Sequence, residues 1–113
     1  MEATATATPN AAPALHERRQ WKRVSVSWLA SLRLSGGGVA ECLVIDLSAG
    51  GAKVALVEPL SLAPPDTVGL VVEKFGTFRA EIVWRRSVFA GLRFRDPPET
   101  VQAAFRSFLP PAD

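Results

Sequence analysis

The chain has 113 residues, of which 48% are hydrophobic and 21% charged, and this size and balance allow one globular domain and little more. The formal net charge is +2, and it becomes −2 when the four cations within residues 18–23 are left out. The positive charge is therefore local, which argues against a protein that coats nucleic acid non-specifically. A single cysteine cannot form an internal disulfide, and no apolar run approaches the ~20 residues that span a bilayer. We therefore expect a cytoplasmic protein without membrane insertion.

The chain opens with a stretch of low complexity. Residues 1–16 are rich in Ala, Thr and Pro, lack the apolar segment of a secretory signal, and are predicted to be a disordered tail. His16, the only histidine, ends this stretch and is expected to be solvated. We place the folded domain at residues 17–109 and a short second tail at residues 110–113.

Short apolar stretches separated by turn residues follow, which is typical of β structure. The predicted strands are residues 28–34, 39–45, 52–57, 67–73, 78–85 and 89–95. Alternation along these strands predicts that Trp28 and Trp84 pack in the core, and Cys42 is expected to be a small core residue. Because hairpin loops join the strands with no helix between them, the predicted fold class is all-β, a six-stranded antiparallel barrel.

A C-terminal helix is predicted after the last strand. Asp96 can cap it, Pro97 can occupy its first position, and Glu99 lies three residues after the cap. The apolar residues that then recur at helical spacing are Val101, Ala104, Phe105 and Phe108. This spacing predicts a short amphipathic helix that packs on the barrel and ends before the prolines at 110 and 111.

A cluster of cations marks the start of the predicted domain. It comprises Arg18, Arg19, Lys22 and Arg23. Guanidinium groups make paired hydrogen bonds to phosphate oxygens or to the O6 and N7 atoms of guanine, so a flexible basic arm could clamp an anionic ligand. Trp21 lies between the arginines, and its ring can either stack on a purine or anchor the arm to the barrel. The charges also fit a solvated lead-in, so the cluster alone leaves its role open.

A second polar segment follows the predicted strand at residues 39–45. Asp46 can accept hydrogen bonds from the N1–H and N2–H groups of a guanine, and the Ser48 hydroxyl can both donate and accept. Gly50 and Gly51 permit a tight turn and a close approach of the backbone to a ligand. These residue types also form good turns between two strands, so this segment alone leaves both interpretations standing.

In combination, Arg19-x-x-x-Arg23 and Asp46-x-Ser48-x-x-Gly51 resemble the two-part signature of PilZ domains, bacterial receptors for cyclic di-GMP. In that family the arginines of the first motif grip phosphate and guanine, and the second motif holds the base and ribose side of the ligand. The resemblance implies that Arg19 and Arg23 form a clamp. It implies that Asp46, Ser48 and Gly51 form a platform on the barrel surface, with Gly50 beside them.

The resemblance covers residues 17–109, since residues 80–84 and 90–94 also look like later strands of the family. It implies a six-stranded barrel with a C-terminal helix, which agrees with the strand pattern. Arg18 extends the first motif to Arg-Arg-x-x-x-Arg, a form associated in relatives with an intercalated pair of ligands, so the resemblance implies a supporting role for Arg18. The implied partners are cyclic di-GMP, as ligand and not as cofactor, and a downstream protein acting in motility or exopolysaccharide control.

The residues of this chain bear on four classes of function. Catalysis is not expected, because the sole histidine lies beside the tail and no nucleophile, base and acid set can be assembled. A receptor for cyclic di-GMP is the first hypothesis, and a protein-interaction adaptor of the same fold that does not bind nucleotide is the alternative. A barrel for single-stranded nucleic acid would need several exposed aromatic residues along a basic groove, and Trp21 is the one candidate.

Overall fold

The computed structural model of the chain describes residues 21–109. Within this range, segments in which buried and exposed side chains alternate form six antiparallel strands. The elements are β1 (Val24–Leu34), β2 (Val39–Leu47), β3 (Gly51–Leu56), β4 (Thr67–Val72), β5 (Gly76–Arg86), β6 (Phe89–Phe94) and α1 (Pro98–Ala104). The strands close into a barrel in the order β1-β2-β3-β6-β5-β4, so every strand has two neighbours. The predicted six-stranded barrel with a C-terminal helix is confirmed.

The barrel interior is filled by the alternate side chains of each strand. In β3, for example, Ala52, Val54 and Leu56 point inward and are buried, whereas Lys53 between them faces outward. Cys42 on β2 is fully buried, as its predicted core position requires. Each large aliphatic side chain buried in this way stabilises the fold by about 1.5–3 kcal/mol relative to an exposed one, so the interior is the main source of stability.

An aromatic cluster joins the helix to the barrel. Trp28 of β1 stacks on Phe75 in the β4–β5 turn, with 5.5 Å between ring centroids, and on Phe105 after α1, at 5.9 Å. Phe105 is fully buried and also lies 5.0 Å from Phe78 of β5. Phe108 meets the Trp28 ring edge-on at 5.0 Å. These contacts fix the C-terminal segment on the barrel.

The predicted start of the helix is wrong by one residue. Pro97 occupies the cap position with no side-chain cap hydrogen bond, and Pro98 begins α1. The Asp96 carboxylate does not cap the helix, because it accepts a hydrogen bond from the backbone N–H of Arg79 on β5 at 3.2 Å. Glu99 does lie in the first turn, where the helix dipole favours an acidic residue.

Three irregularities interrupt the strand pairing, and the sequence pattern did not indicate them. They lie between Ser25 and Trp28, between Val44 and Asp46, and between Ile82 and Trp84. A bulge adds a residue to one strand and redirects the side chains after it.

The bulge in β5 overturns the predicted core position of Trp84, which is 40% exposed on the outside of the barrel. The predicted tails at residues 1–16 and 110–113 lie outside the described residues. No helix within residues 21–109 has the length and apolar character needed to cross a lipid bilayer.

Candidate functional site

The turn between β2 and β3 is held by its own polar groups. The N–H of Ser48 donates to the carbonyl of Gly51 at 2.9 Å, and the N–H of Gly50 donates to the Ser48 hydroxyl at 3.2 Å. The hydroxyl donates in turn to the Gly51 carbonyl at 3.5 Å, and the residue is only 7% exposed. Ser48 thus shapes the turn, while its oxygen keeps a second lone pair for a further donor.

The two adjacent glycines of this turn have different roles. A Cβ atom on Gly51 would collide with the carbonyl oxygen of Leu92, because β3 and β6 approach closely there. A Cβ atom on Gly50 would meet nothing closer than the Ser48 hydroxyl at 3.9 Å, an ordinary contact. Gly51 is therefore required for the pairing of β3 with β6, whereas Gly50 tolerates a side chain.

The two sequence motifs meet at one ion pair. Arg23, immediately before β1, places its Nη1 atom 3.2 Å from Oδ2 of Asp46 near the end of β2. The Arg23 side chain is 67% exposed and that of Asp46 24% exposed, so the pair contributes at most about 1 kcal/mol and can exchange for a ligand at little cost. Arg18 and Arg19 lie outside the described residues.

The bulge in β5 places Trp84 on the outside of the barrel, beside the turn between β2 and β3. Trp84 of β5, Gly91 of β6 and Lys53 of β3 form one row across three strands. A Cβ on Gly91 would collide with the indole of Trp84, which therefore lies directly over this glycine. The Lys53 ammonium lies 5.9 Å from the Trp84 ring centroid and 5.1 Å from that of Phe89, within cation–π range.

The neighbouring row carries an arginine held by a carboxylate. Arg93 of β6 lies opposite Glu81 of β5, and its Nη2 atom is 2.9 Å from Glu81 Oε1. The same Oε1 atom is 3.9 Å from Nη1 of Arg95. Arg93 uses one of its five N–H donors in this pair, so within residues 21–109 other donors of its guanidinium remain for a ligand.

These groups line one cavity of ≈ 270 Å³ on the outside of the barrel. Its lining residues are Arg23, Ser48, Gly50, Gly51, Ala52, Lys53, Val83, Trp84, Gly91, Leu92 and Arg93. The lining contains three cations and no carboxylate, and Arg23 and Arg93 each pair with a carboxylate outside the lining, so the cavity offers N–H donors to an anion. Trp21 is half-buried just before Arg23, and it does not line this cavity.

The structure thus brings together Arg23, Ser48, Gly50 and Gly51 around the cavity, with Asp46 paired to Arg23. Seven lining residues are not among the predicted site residues, and three of them, Lys53, Trp84 and Arg93, carry charged or aromatic side chains. Strand register could have found Arg93, since it lies opposite Gly51 on the paired strand. No signal in the strand alternation indicated Trp84, because its outward position depends on the bulge.

A family model described as the PilZ domain matches residues 17–109. The match spans most of the chain, and the chain therefore belongs to the PilZ domain family. A search of curated protein sequences gives no match.

Solved structures with the same fold support this assignment. The PilZ domain of CeSA from a cellulose-synthesizing bacterium superposes with a TM-score of 0.62 at 20% identity, covering 76% of this chain and 93% of that chain. The PilZ domain of YcgR from Escherichia coli, solved with c-di-GMP, gives 0.58 at 18% identity, covering 80% and 88%. The Bacillus subtilis inhibitor of motility, MotI/DgrA, gives 0.59 at 21% identity, covering 80% of this chain and 48% of that chain. At these identities the likeness concerns the fold.

Proposed function

We propose that this protein is a non-catalytic, cytoplasmic receptor for cyclic di-GMP that passes its signal to a protein partner. The observation that carries the proposal is the meeting of Arg23 with Asp46 beside a cavity lined by three cations and no carboxylate. Cyclic di-GMP is a dianion with two guanines, so it needs both phosphate-binding cations and a carboxylate for the guanine N1–H and N2–H groups. The complex of the YcgR domain with this ligand supports the choice.

The proposed binding step begins with an exchange of partners. Arg23 leaves Asp46 and binds a phosphate or the guanine O6 and N7 atoms, and the freed Asp46 carboxylate accepts the guanine N–H groups. Breaking the ion pair costs little free energy, because the Arg23 side chain is largely exposed to solvent in it. The turn of Ser48, Gly50 and Gly51 presents the rigid surface on which the ligand rests.

Strands β3, β5 and β6 supply the rest of the proposed site. Trp84 offers an exposed ring next to Lys53, and Arg93 adds a third cation. The cavity of ≈ 270 Å³ is slightly smaller than the roughly 300–1,000 Å³ of typical ligand sites. We propose that Arg18 and Arg19 complete it by folding over the bound ligand, Arg19 as clamp and Arg18 in a supporting role.

Isothermal titration calorimetry with cyclic di-GMP tests this function. Arg19→Ala and Arg23→Ala should each weaken binding at least about tenfold, equivalent to ~1.4 kcal/mol. Arg106→Ala is the matched control, because Arg106 is an exposed arginine after α1 that does not line the cavity, and its affinity should equal that of the wild type.

Absence of any heat with the folded wild-type protein would overturn the receptor function. Partner capture that is the same with and without cyclic di-GMP would then favour the alternative, an adaptor that does not bind nucleotide. The adaptor has one observation in its favour, since Asp46, the proposed acceptor for guanine, is already paired with Arg23.

A further inference from the structure

A second basic groove lies on a different part of the barrel surface. It occupies ≈ 430 Å³ on the outside of β1, β4 and β5. Its lining residues are Arg33, Leu34, Ser35, Thr67, Val68, Gly69, Arg79, Ala80 and Arg95. None of these residues lines the candidate nucleotide cavity, so the groove is a separate site.

The centre of the groove is a row of three residues on neighbouring strands. Arg33 of β1 lies opposite Gly69 of β4, and Gly69 lies opposite Arg79 of β5. A Cβ on Gly69 would make only ordinary contacts, 3.5 Å from Thr77 Cγ2 and 3.6 Å from Arg33 Cβ, so the barrel does not require glycine here. What the missing side chain provides is an open trough between two arginines.

The charges of the groove are poorly compensated. Within residues 21–109, the guanidinium groups of Arg33 and Arg79 make no hydrogen bond or ion pair. The third arginine, Arg95, is 3.9 Å from Glu81, a carboxylate already bound by another arginine at 2.9 Å. The nearby Asp96 carboxylate accepts the backbone N–H of Arg79. The groove therefore has a surplus of positive charge, which favours an anionic partner.

The form of the groove favours a peptide over a compact anion. The Cα atoms of Arg33 and Arg79 are two inter-strand spacings apart, roughly 10 Å, a separation suited to two carboxylates on one chain. Ser35 adds an exposed hydroxyl, whereas Leu34 is half-buried and Val68 belongs to the barrel core. Because the barrel is closed, an incoming chain finds no free strand edge there and is held through side chains.

We propose that this groove, the Arg33–Gly69–Arg79 trough with Arg95 at its rim, docks an acidic segment of a partner protein. Two carboxylates of the segment bind Arg33 and Arg79 in paired hydrogen bonds, and its backbone crosses the open floor at Gly69. The proposal concerns the protein without nucleotide and does not depend on the proposed receptor function.

Fluorescence polarisation with a labelled peptide of alternating Glu and Ser tests the groove, with the Gln–Ser peptide as probe control. The Glu peptide should bind and the Gln peptide should not. Arg33→Gln and Arg79→Gln should each weaken binding about tenfold, as expected for an arginine at the centre of an interface. Arg106→Gln removes the same charge from an exposed position outside the groove and should leave affinity unchanged.

Gly69→Val fills the trough without altering charge, and it should weaken the Glu peptide as much as either arginine variant does. Retained binding by Gly69→Val, or equal loss in Arg106→Gln, would show general charge attraction and overturn the groove. Displacement of the peptide by inorganic phosphate, but not by chloride at equal ionic strength, would overturn the peptide in favour of a small anion. Thermal melting of each variant confirms that it is folded.

Discussion

Two tryptophans of the same barrel have opposite surroundings. Trp28 of β1 is enclosed by the rings of Phe75, Phe105 and Phe108, with centroids at 5.0–5.9 Å. Trp84 of β5 lies over Gly91, is 40% exposed, and has an ammonium group as its neighbour. The first joins the helix to the barrel, and the second forms a wall of the candidate nucleotide cavity.

The difference arises from a local change in strand register. Both residues follow the alternation of their strands, and both were therefore predicted to be in the core. In β5, the bulge between Ile82 and Trp84 turns the tryptophan out, and a glycine on β6 leaves the space it occupies. A bulge also precedes Trp28 in β1, but there the ring meets the phenylalanines of the C-terminal segment, whereas within residues 21–109 the outside of β5 has no such cover for Trp84.

The largest expected effect is on the enclosed tryptophan. Trp28→Ala removes the ring that three phenylalanines contact and should lower the free energy of unfolding by about 3 kcal/mol, measured by chemical denaturation. Cyclic di-GMP affinity of the remaining folded protein should be unchanged. A loss below that of Trp84→Ala would contradict the structural role assigned to Trp28.

The burial of Cys42 in the barrel interior can be tested by the pH dependence of the free energy of unfolding. Burial raises the pKa of the Cys42 thiol from 9.0 to about 11. Between these two values the folded chain keeps the Cys42 thiol proton, whereas the unfolded chain loses it. The stability that the buried, neutral thiol contributes is therefore complete below pH 9.0 and decreases as the pH rises toward 11. The loss should amount to roughly 2–3 kcal/mol. Cys42→Ala should show a shallower decrease in the free energy of unfolding over this range, and equal slopes would contradict the assignment.

The smallest expected effect on stability belongs to the exposed tryptophan. Trp84→Ala should lower the free energy of unfolding by about 1 kcal/mol, less than Trp28→Ala, since the residue is 40% exposed and packs on the outside of the barrel. Cyclic di-GMP affinity should fall by about tenfold if the ring stacks on a base, which is worth roughly 1–3 kcal/mol. Gly91→Ala, which displaces the indole, should reproduce the loss of affinity. Normal affinity in both variants would remove Trp84 from the site.

The sequence predicted the parts of this molecule that depend on local pattern. Strand alternation was enough to predict the six strands, the barrel and the burial of Cys42. The spacing of the two motifs was enough to propose that Arg23 and Asp46 act together, and the two side chains do form an ion pair. The bulges could not be predicted, because they depend on how the closed barrel adjusts its register. For the same reason Trp84 was misplaced. Asp96 was misassigned because a backbone donor on a distant strand competed successfully for its carboxylate.

Gly51 has a consequence for how such proteins are compared. The glycine belongs to the Asp-x-Ser-x-x-Gly motif, yet its lack of a side chain is demanded by the Leu92 carbonyl of the adjoining strand. A protein of this fold that binds no nucleotide would still need glycine at that position to keep β3 and β6 paired. Gly51 therefore reports on the pairing of the strands, and the proposed nucleotide binding must be judged from Arg23 and Asp46.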